Sequence, residues 1–153
     1  MKRNPTELIC FQAINRTFTT LDPMILILAA EHSPHFLEIL ATLIDGQPGL
    51  DLVTTSSHGV GTVEKTTELR PDLVIMDVQL PRLSGPEATR RIKHRDSGVC
   101  VLLSGSSPGD IAAGLAAGAD GYLSKDCTNE ELFEEIRRIG PNDASNLSRS
   151  RNA

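Results

Sequence analysis

Five short apolar runs punctuate the chain, Met24–Leu28, Leu50–Thr54, Leu73–Met76, Val99–Leu103 and Gly121–Leu123. Each is short and mostly leucine-rich or β-branched, which predicts strands, and the third, Leu73–Met76, reads as one buried on both faces. The segments between them carry helical periodicity near His35–Ile44, Val60–Leu69, Glu87–Lys93 and Ile111–Ala117, with a fifth near Asn129–Ile139. Strand and helix therefore alternate five times, the pattern of βα units around a parallel sheet. Right-handed crossovers narrow the arrangement to an α/β, doubly wound five-stranded sheet in the order 2-1-3-4-5, with its switch point between strands one and three.

Local chemistry sets the boundaries. Ser84 and Glu87 stand at capping-box spacing, with Pro86 in a first turn where its missing N–H costs little. Thr128 and Glu131 repeat the signature ahead of the apolar stripe Leu132, Phe133, Ile136 and Ile139, and Gly140-Pro141 stops that helix. These boundaries predict one domain over residues 23–140. Residues 1–22 show no sustained period and read as a poorly ordered extension. Met24 opens the first strand directly, and a natural start at that methionine predicts a native mass lacking everything before it. The stretch 141–153, rich in Ser, Asn and Arg, has little to bury and reads as a disordered tail or linker stub.

Composition narrows the class. A chain of 153 residues, 39% hydrophobic, suits a single soluble domain, and a formal net charge of -5 argues against nucleic-acid binding. The cluster Arg90, Arg91, Lys93, His94 and Arg95 falls where a helix should end, and cations there complement the macrodipole. The longest apolar stretch, Met24 to Ala30, is too short to span a bilayer, and no secretory core precedes it. Three cysteines, Cys10, Cys100 and Cys127, show no metal-ligand or C-x-x-C spacing, which suits a reducing, cytoplasmic setting.

The candidate chemistry lies at the strand ends. Asp77 closes the third apolar run, and open α/β sheets bind ligands beyond the carboxyl ends of their strands. A loop or capping acid is the bland alternative, so convergence of other groups decides. Glu31 follows strand one, Ser104 ends strand four and Lys125 follows strand five. An aspartate attacks phosphorus only when a cation offsets the meeting negative charges. Lys125 supplies that charge, and Ser104 can donate to a phosphoryl oxygen. A phosphatase of the haloacid-dehalogenase type would need a second acid two residues on, where Gln79 stands; a flavin carrier would need a Ser/Thr-rich loop in place of Ala29-Ala30-Glu31-His32.

Over roughly residues 23–140 the chain resembles the receiver domains of bacterial two-component response regulators. Asp77 with Pro81 and Gly85 in DVQLPRLSG, Ser104 in VLLSG, and Tyr122 with Lys125 in GYLSKD carry the resemblance. Pro86–Ile92 and Ala117–Tyr122 are most similar to the nitrate-response branch, whose C-terminal helix-turn-helix does not follow here. The resemblance implies a flavodoxin-like fold and a phosphorelay role. Asp77 would be the phosphoacceptor, Lys125 the phosphate counter-ion, Ser104 the switch hydroxyl and Tyr122 the switch aromatic. Magnesium would be held by Glu31, Asp77 and the Gln79 backbone carbonyl. The implied partners are a histidine kinase or phosphotransfer protein upstream and a protein partner or homodimer downstream, with no nucleic acid and no membrane. The chain would be a signalling domain rather than an enzyme, beyond catalysing its own phosphoryl transfer and hydrolysis.

One position departs from the family. Aligned through Pro34, Phe36, Glu38 and Leu40, Glu31 and His32 cover the usual pair of aspartates, and His32 takes the place of the direct metal ligand. Imidazole suits zinc, copper or nickel better than magnesium, and the pocket keeps one net negative charge instead of two. Weak or absent magnesium binding is the expectation. The alternative function is an atypical receiver acting as a phosphorylation-independent interaction module; a solvent-facing His32 with no role is equally open. The small residues Ala112, Ala113, Gly114, Ala116, Ala117 and Gly118 predict an easily shifted fourth helix.

Overall fold

The structure, a computed structural model, describes residues 24–141. The extension 1–22, Cys10 and all but the first residue of the predicted tail lie outside the described residues. Within them the elements run β1 (Ile25–Ala30), α1 (Pro34–Asp45), β2 (Leu50–Ser56), α2 (Gly59–Leu69), β3 (Leu73–Asp77), α3 (Gly85–Arg95), β4 (Cys100–Gly105), α4 (Pro108–Ala116), β5 (Gly121–Ser124) and α5 (Asn129–Ile139). All pairings are parallel, and the strand order is β2-β1-β3-β4-β5. This is the flavodoxin-like doubly wound sheet. No helix among the described residues is long and apolar enough to cross a membrane.

Strand alternation divides the core in two. Leu28, Ala30, Val74, Met76, Val101 and Leu103 point to the face covered by Val63 of α2 and Ala88 and Ile92 of α3. Ile27, Leu73, Ile75 and Leu102 point to the opposite face, against Ile44 of α1 and Leu132, Phe133 and Ile136 of α5. Each large side chain so buried contributes roughly 1.5–3 kcal/mol, and a one-residue slip would send the whole set to the wrong helices. The register therefore fixes the strand ends: Ala30 lies beside Met76, Asp77 beside Ser104, and Gly105 beside Ser124.

Caps explain where the helices begin. Thr128 and Glu131 form the full reciprocal box, with the Thr128 amide donating to Glu131 Oε2 at 2.7 Å and the Glu131 amide to Thr128 Oγ1 at 3.2 Å. Ser84 accepts from the Glu87 amide, but the Glu87 carboxylate turns to Arg90 and Arg91, so this end is a single cap and not a box. Helix α4 starts three residues before the sequence expectation, because Ser107 accepts from the Asp110 amide and Pro108 fits the first turn. Gly118 lies outside that helix at φ +95°, a backbone conformation that favours glycine, so only Gly114 of the expected pair is helical; it packs on Leu103.

The remaining basic and thiol groups have structural roles. Lys93, His94 and Arg95 form the last turn of α3, and Lys93 pairs with Asp120 at 2.6 Å while donating to the Val99 carbonyl at 2.7 Å. Cys100 and Cys127 both pack against the α1–α5 core, and burial, followed by Glu131 and Asp126, raises the Cys127 thiol pKa.

Candidate functional site

Four strand ends converge as the topology requires. Glu31 and His32 leave β1, Asp77 ends β3, Ser104 lies beside it in β4, and Lys125 follows β5. Lys125 reaches across the gap, its Nζ 2.9 Å from Asp77 Oδ2 and 3.2 Å from Glu31 Oε2. His32 Nδ1 lies 3.1 Å from both Asp77 Oδ2 and Glu31 Oε1. One carboxylate oxygen of Asp77 thus meets both the lysine ammonium and the imidazole.

The backbone holds the acids in place. The Gln79 amide donates to Asp77 Oδ1 at 3.0 Å and the Ser33 amide to Glu31 Oε1 at 3.0 Å. Asp77 and Glu31 are buried, whereas the His32 side chain that touches both is 52% exposed. Lys125 also lies 5.4 Å from the Phe36 ring centroid, close enough for cation–π attraction. Phe36, at the N-terminal end of α1, is half exposed; the sequence analysis used it only for alignment.

Electrostatics favour the charged pair. Burial pushes the Asp77 carboxyl up, but the Gln79 amide, Lys125 and His32 together outweigh it and leave its pKa below 3.8. Burial likewise opposes the Lys125 ammonium, and its bonds to Asp77 and Glu31 raise its pKa above 10.5. The two shifts carry opposite signs in pH. The Asp77 contribution to stability is present above its unfolded value and fades as pH falls through the lowered one; the Lys125 contribution is present below 10.5 and fades as pH rises through the raised one. Urea unfolding between pH 5 and 2 is expected to show a loss of stability for the parent that is shallower in Asp77→Asn; parallel curves would contradict this.

Ser104 gives its carbonyl to the Val78 amide at 2.8 Å, and its hydroxyl makes no hydrogen bond among the described residues. Tyr122 lies on the edge strand β5 and turns inward. It packs against the α2–α3 core, and its hydroxyl is buried without a hydrogen-bond partner among the described residues. The space it fills exists because residue 105 is glycine: a Cβ there would stand 2.5 Å from the Tyr122 hydroxyl and 3.0 Å from Asp110 Oδ2. Burial, then Asp110 and Asp77, raises the phenol pKa. The sequence analysis missed Gly105 and Asp110, although a glycine directly after the strand-end serine was the available signal.

Glu31, His32 and Asp77 each offer one ligand atom, all within 4.8 Å of one another. As a magnesium site the set fits only in part. The carboxylates suit the ion, but the imidazole nitrogen does not, and the Lys125 ammonium already shares Asp77 Oδ2. For Gln79 the structure gives an amide contact to Asp77.

Known proteins resemble this chain in sequence and fold. The transcriptional regulatory protein DesR of Bacillus subtilis is 31% identical over 76% of this chain and 58% of its own length. The chain thus spans little more than half of that relative. The receiver domain of the sensor histidine kinase PA1611 from Pseudomonas aeruginosa, solved with magnesium in its active-site cleft, is 28% identical with a TM-score of 0.69, over 76% of this chain and 97% of that one. The signal receiver domain of NarL from Mycobacterium tuberculosis, 20% identical over 76% of this chain and 95% of its own, shares the fold at a TM-score of 0.72. The family model for the response regulator receiver domain matches residues 27–137, nearly the whole described fold with its converging strand ends, and the chain belongs to that family.

Proposed function

We propose that this chain accepts a phosphoryl group on Asp77 from a phosphohistidine donor and converts it into a change of a protein-binding surface. The observation that carries this reading is the Lys125 ammonium 2.9 Å from the Asp77 carboxylate, with the unpaired Ser104 hydroxyl on the adjoining strand. An Asp77 oxygen attacks phosphorus, the O–P bond forms as the P–N bond to the donor imidazole breaks, and the electron pair leaves with that imidazole. Lys125 offsets the charge of the acyl phosphate, and Ser104 donates to one of its oxygens. His32 must give way if Oδ2 is the attacking oxygen, because its Nδ1 lies 3.1 Å from that atom. Magnesium supplies charge neutralisation in receivers; here the imidazole donor and the Lys125 contact weaken its hold.

The readout runs through Tyr122. A buried hydroxyl left unpaired costs about 1–3 kcal/mol, so the inward ring is held by packing against that cost and a modest perturbation shifts the balance. A Ser104 hydroxyl drawn towards phosphate supplies the perturbation beside the ring. The α4–β5–α5 face then changes, where Ile111 and Leu115 already stand exposed one helical turn apart. That face is the proposed site for a protein partner or a second copy.

The chain has one tyrosine and no tryptophan, so its emission reports Tyr122 alone. Addition of a small acyl-phosphate donor is expected to change that emission in the parent and leave Asp77→Asn unaltered. Gly105→Ala, whose methyl would occupy the hydroxyl's place, is expected to show the displaced emission without any donor. Equal responses in parent and Asp77→Asn would refute the switch. The reading as a phosphorylation-independent module predicts no response in either.

A further inference from the structure

The ring of His32 presents Nδ1, at equal distance, to one oxygen of each buried carboxylate, Glu31 Oε1 and Asp77 Oδ2, at 3.1 Å. Ligands 2.0–2.1 Å from a tetrahedral metal stand about 3.4 Å apart, close to the separation of the imidazole nitrogen from each carboxylate oxygen, and all three ligand atoms lie within 4.8 Å of one another. Both carboxylates are also oriented by backbone amides, Asp77 through its other oxygen by Gln79 and Glu31 through Oε1 itself by Ser33, hydrogen bonds of the kind that hold metal ligands in place. The half-exposed His32 side chain gives an ion its way in from solvent.

We infer that Glu31, His32 and Asp77 form a site for a nitrogen-tolerant first-row divalent cation such as zinc, in preference to magnesium. Magnesium asks for six oxygens in near-ideal octahedral geometry, whereas one imidazole with two carboxylates is a donor set for a four-coordinate zinc or cobalt ion with one position left open. Lys125 shares Asp77 Oδ2 and lowers the affinity for every cation, but its charge acts alike on all divalent ions and leaves the preference to the donors. The inference concerns the pocket of the proposed phosphoacceptor and rests on that reading for its significance, while its geometry stands independently.

Calorimetric titration with Zn²⁺, Co²⁺ and Mg²⁺ separately, together with the visible absorption of the cobalt form, tests it. The parent is expected to bind Zn²⁺ and Co²⁺ at least about 100-fold more tightly than Mg²⁺, with cobalt bands characteristic of low coordination number. His32→Ala should lose that preference and the bands, and His32→Asp should bind Mg²⁺ more tightly than the parent does. Both variants alter an exposed side chain, and circular dichroism verifies that they fold. Equal affinity for the three ions, no binding, or zinc binding that persists in His32→Ala overturns the inference. Phosphoryl acceptance is read separately by mass: a parent that gains phosphate yet ignores zinc loses only this inference, and one that binds zinc through His32 yet never gains phosphate loses only the functional reading.

Discussion

Replacing Lys125 with alanine is expected to slow phosphoryl acceptance from a small donor by about 100-fold or more, the usual cost of removing one preorganised charge from a transition state. The same change should destabilise the fold. Lys125 holds two buried carboxylates, Asp77 at 2.9 Å and Glu31 at 3.2 Å, which without it face each other with only His32 between them. Breaking a fully buried pair costs about 3–5 kcal/mol; with a quarter of the lysine side chain in solvent, roughly 2 kcal/mol is the expectation at neutral pH. The loss should shrink in acid as pH falls through the lowered pKa of Asp77 and its carboxylate protonates. Lys125→Met keeps the stem near Phe36 and separates packing from charge, so it should behave like the alanine variant in the transfer rate. An unchanged rate in both variants would remove Lys125 from the chemistry.

Gly85→Ala is expected to cost about 3 kcal/mol or more in urea unfolding, at the upper end of overpacking effects. A Cβ at that position would lie 2.5 Å from the Asp77 carbonyl oxygen and 2.8 Å from the Val78 Cα, both backbone atoms that no rotamer change can move. The Gly85 amide also donates to the Val78 carbonyl at 2.8 Å, so α3 begins hard against the strand that ends in Asp77. Relief would have to come by shifting that strand end. A folded residue of the variant should therefore also show impaired phosphoryl acceptance. Parent-like stability would mean that the loop from Val78 to Ser84 yields more easily than these contacts imply.

The sheet order was legible because short apolar-rich runs alternate with helical segments five times, and the convergence of Glu31, Asp77 and Lys125 followed from that order. What the sequence concealed depends on neighbours distant in the chain. Tyr122 was named as the switch aromatic by resemblance, but that its hydroxyl sinks inward depends on the missing Cβ of Gly105 on the neighbouring strand. Phe36 faces the Lys125 ammonium only after α1 and β5 are brought to the same end of the sheet. The earlier start of α4 was readable in principle, since Ser107-Pro108 repeats the cap-and-proline logic recognised at Ser84-Pro86; the apolar period near Ile111 outweighed it. His32 was singled out as a departure on its position alone, and its simultaneous contact with both acids needed the folded loop.

The central claim is that Asp77 receives the phosphoryl group, and intact-mass measurement tests it most directly. After incubation with a small acyl-phosphate donor, with and without added divalent metal, the parent is expected to gain about 80 Da, one phosphoryl group, and fragmentation should place it on the peptide that contains Asp77. Asp77→Asn should gain nothing. No gain in the parent under any metal condition, or a gain that survives in Asp77→Asn, would contradict the account.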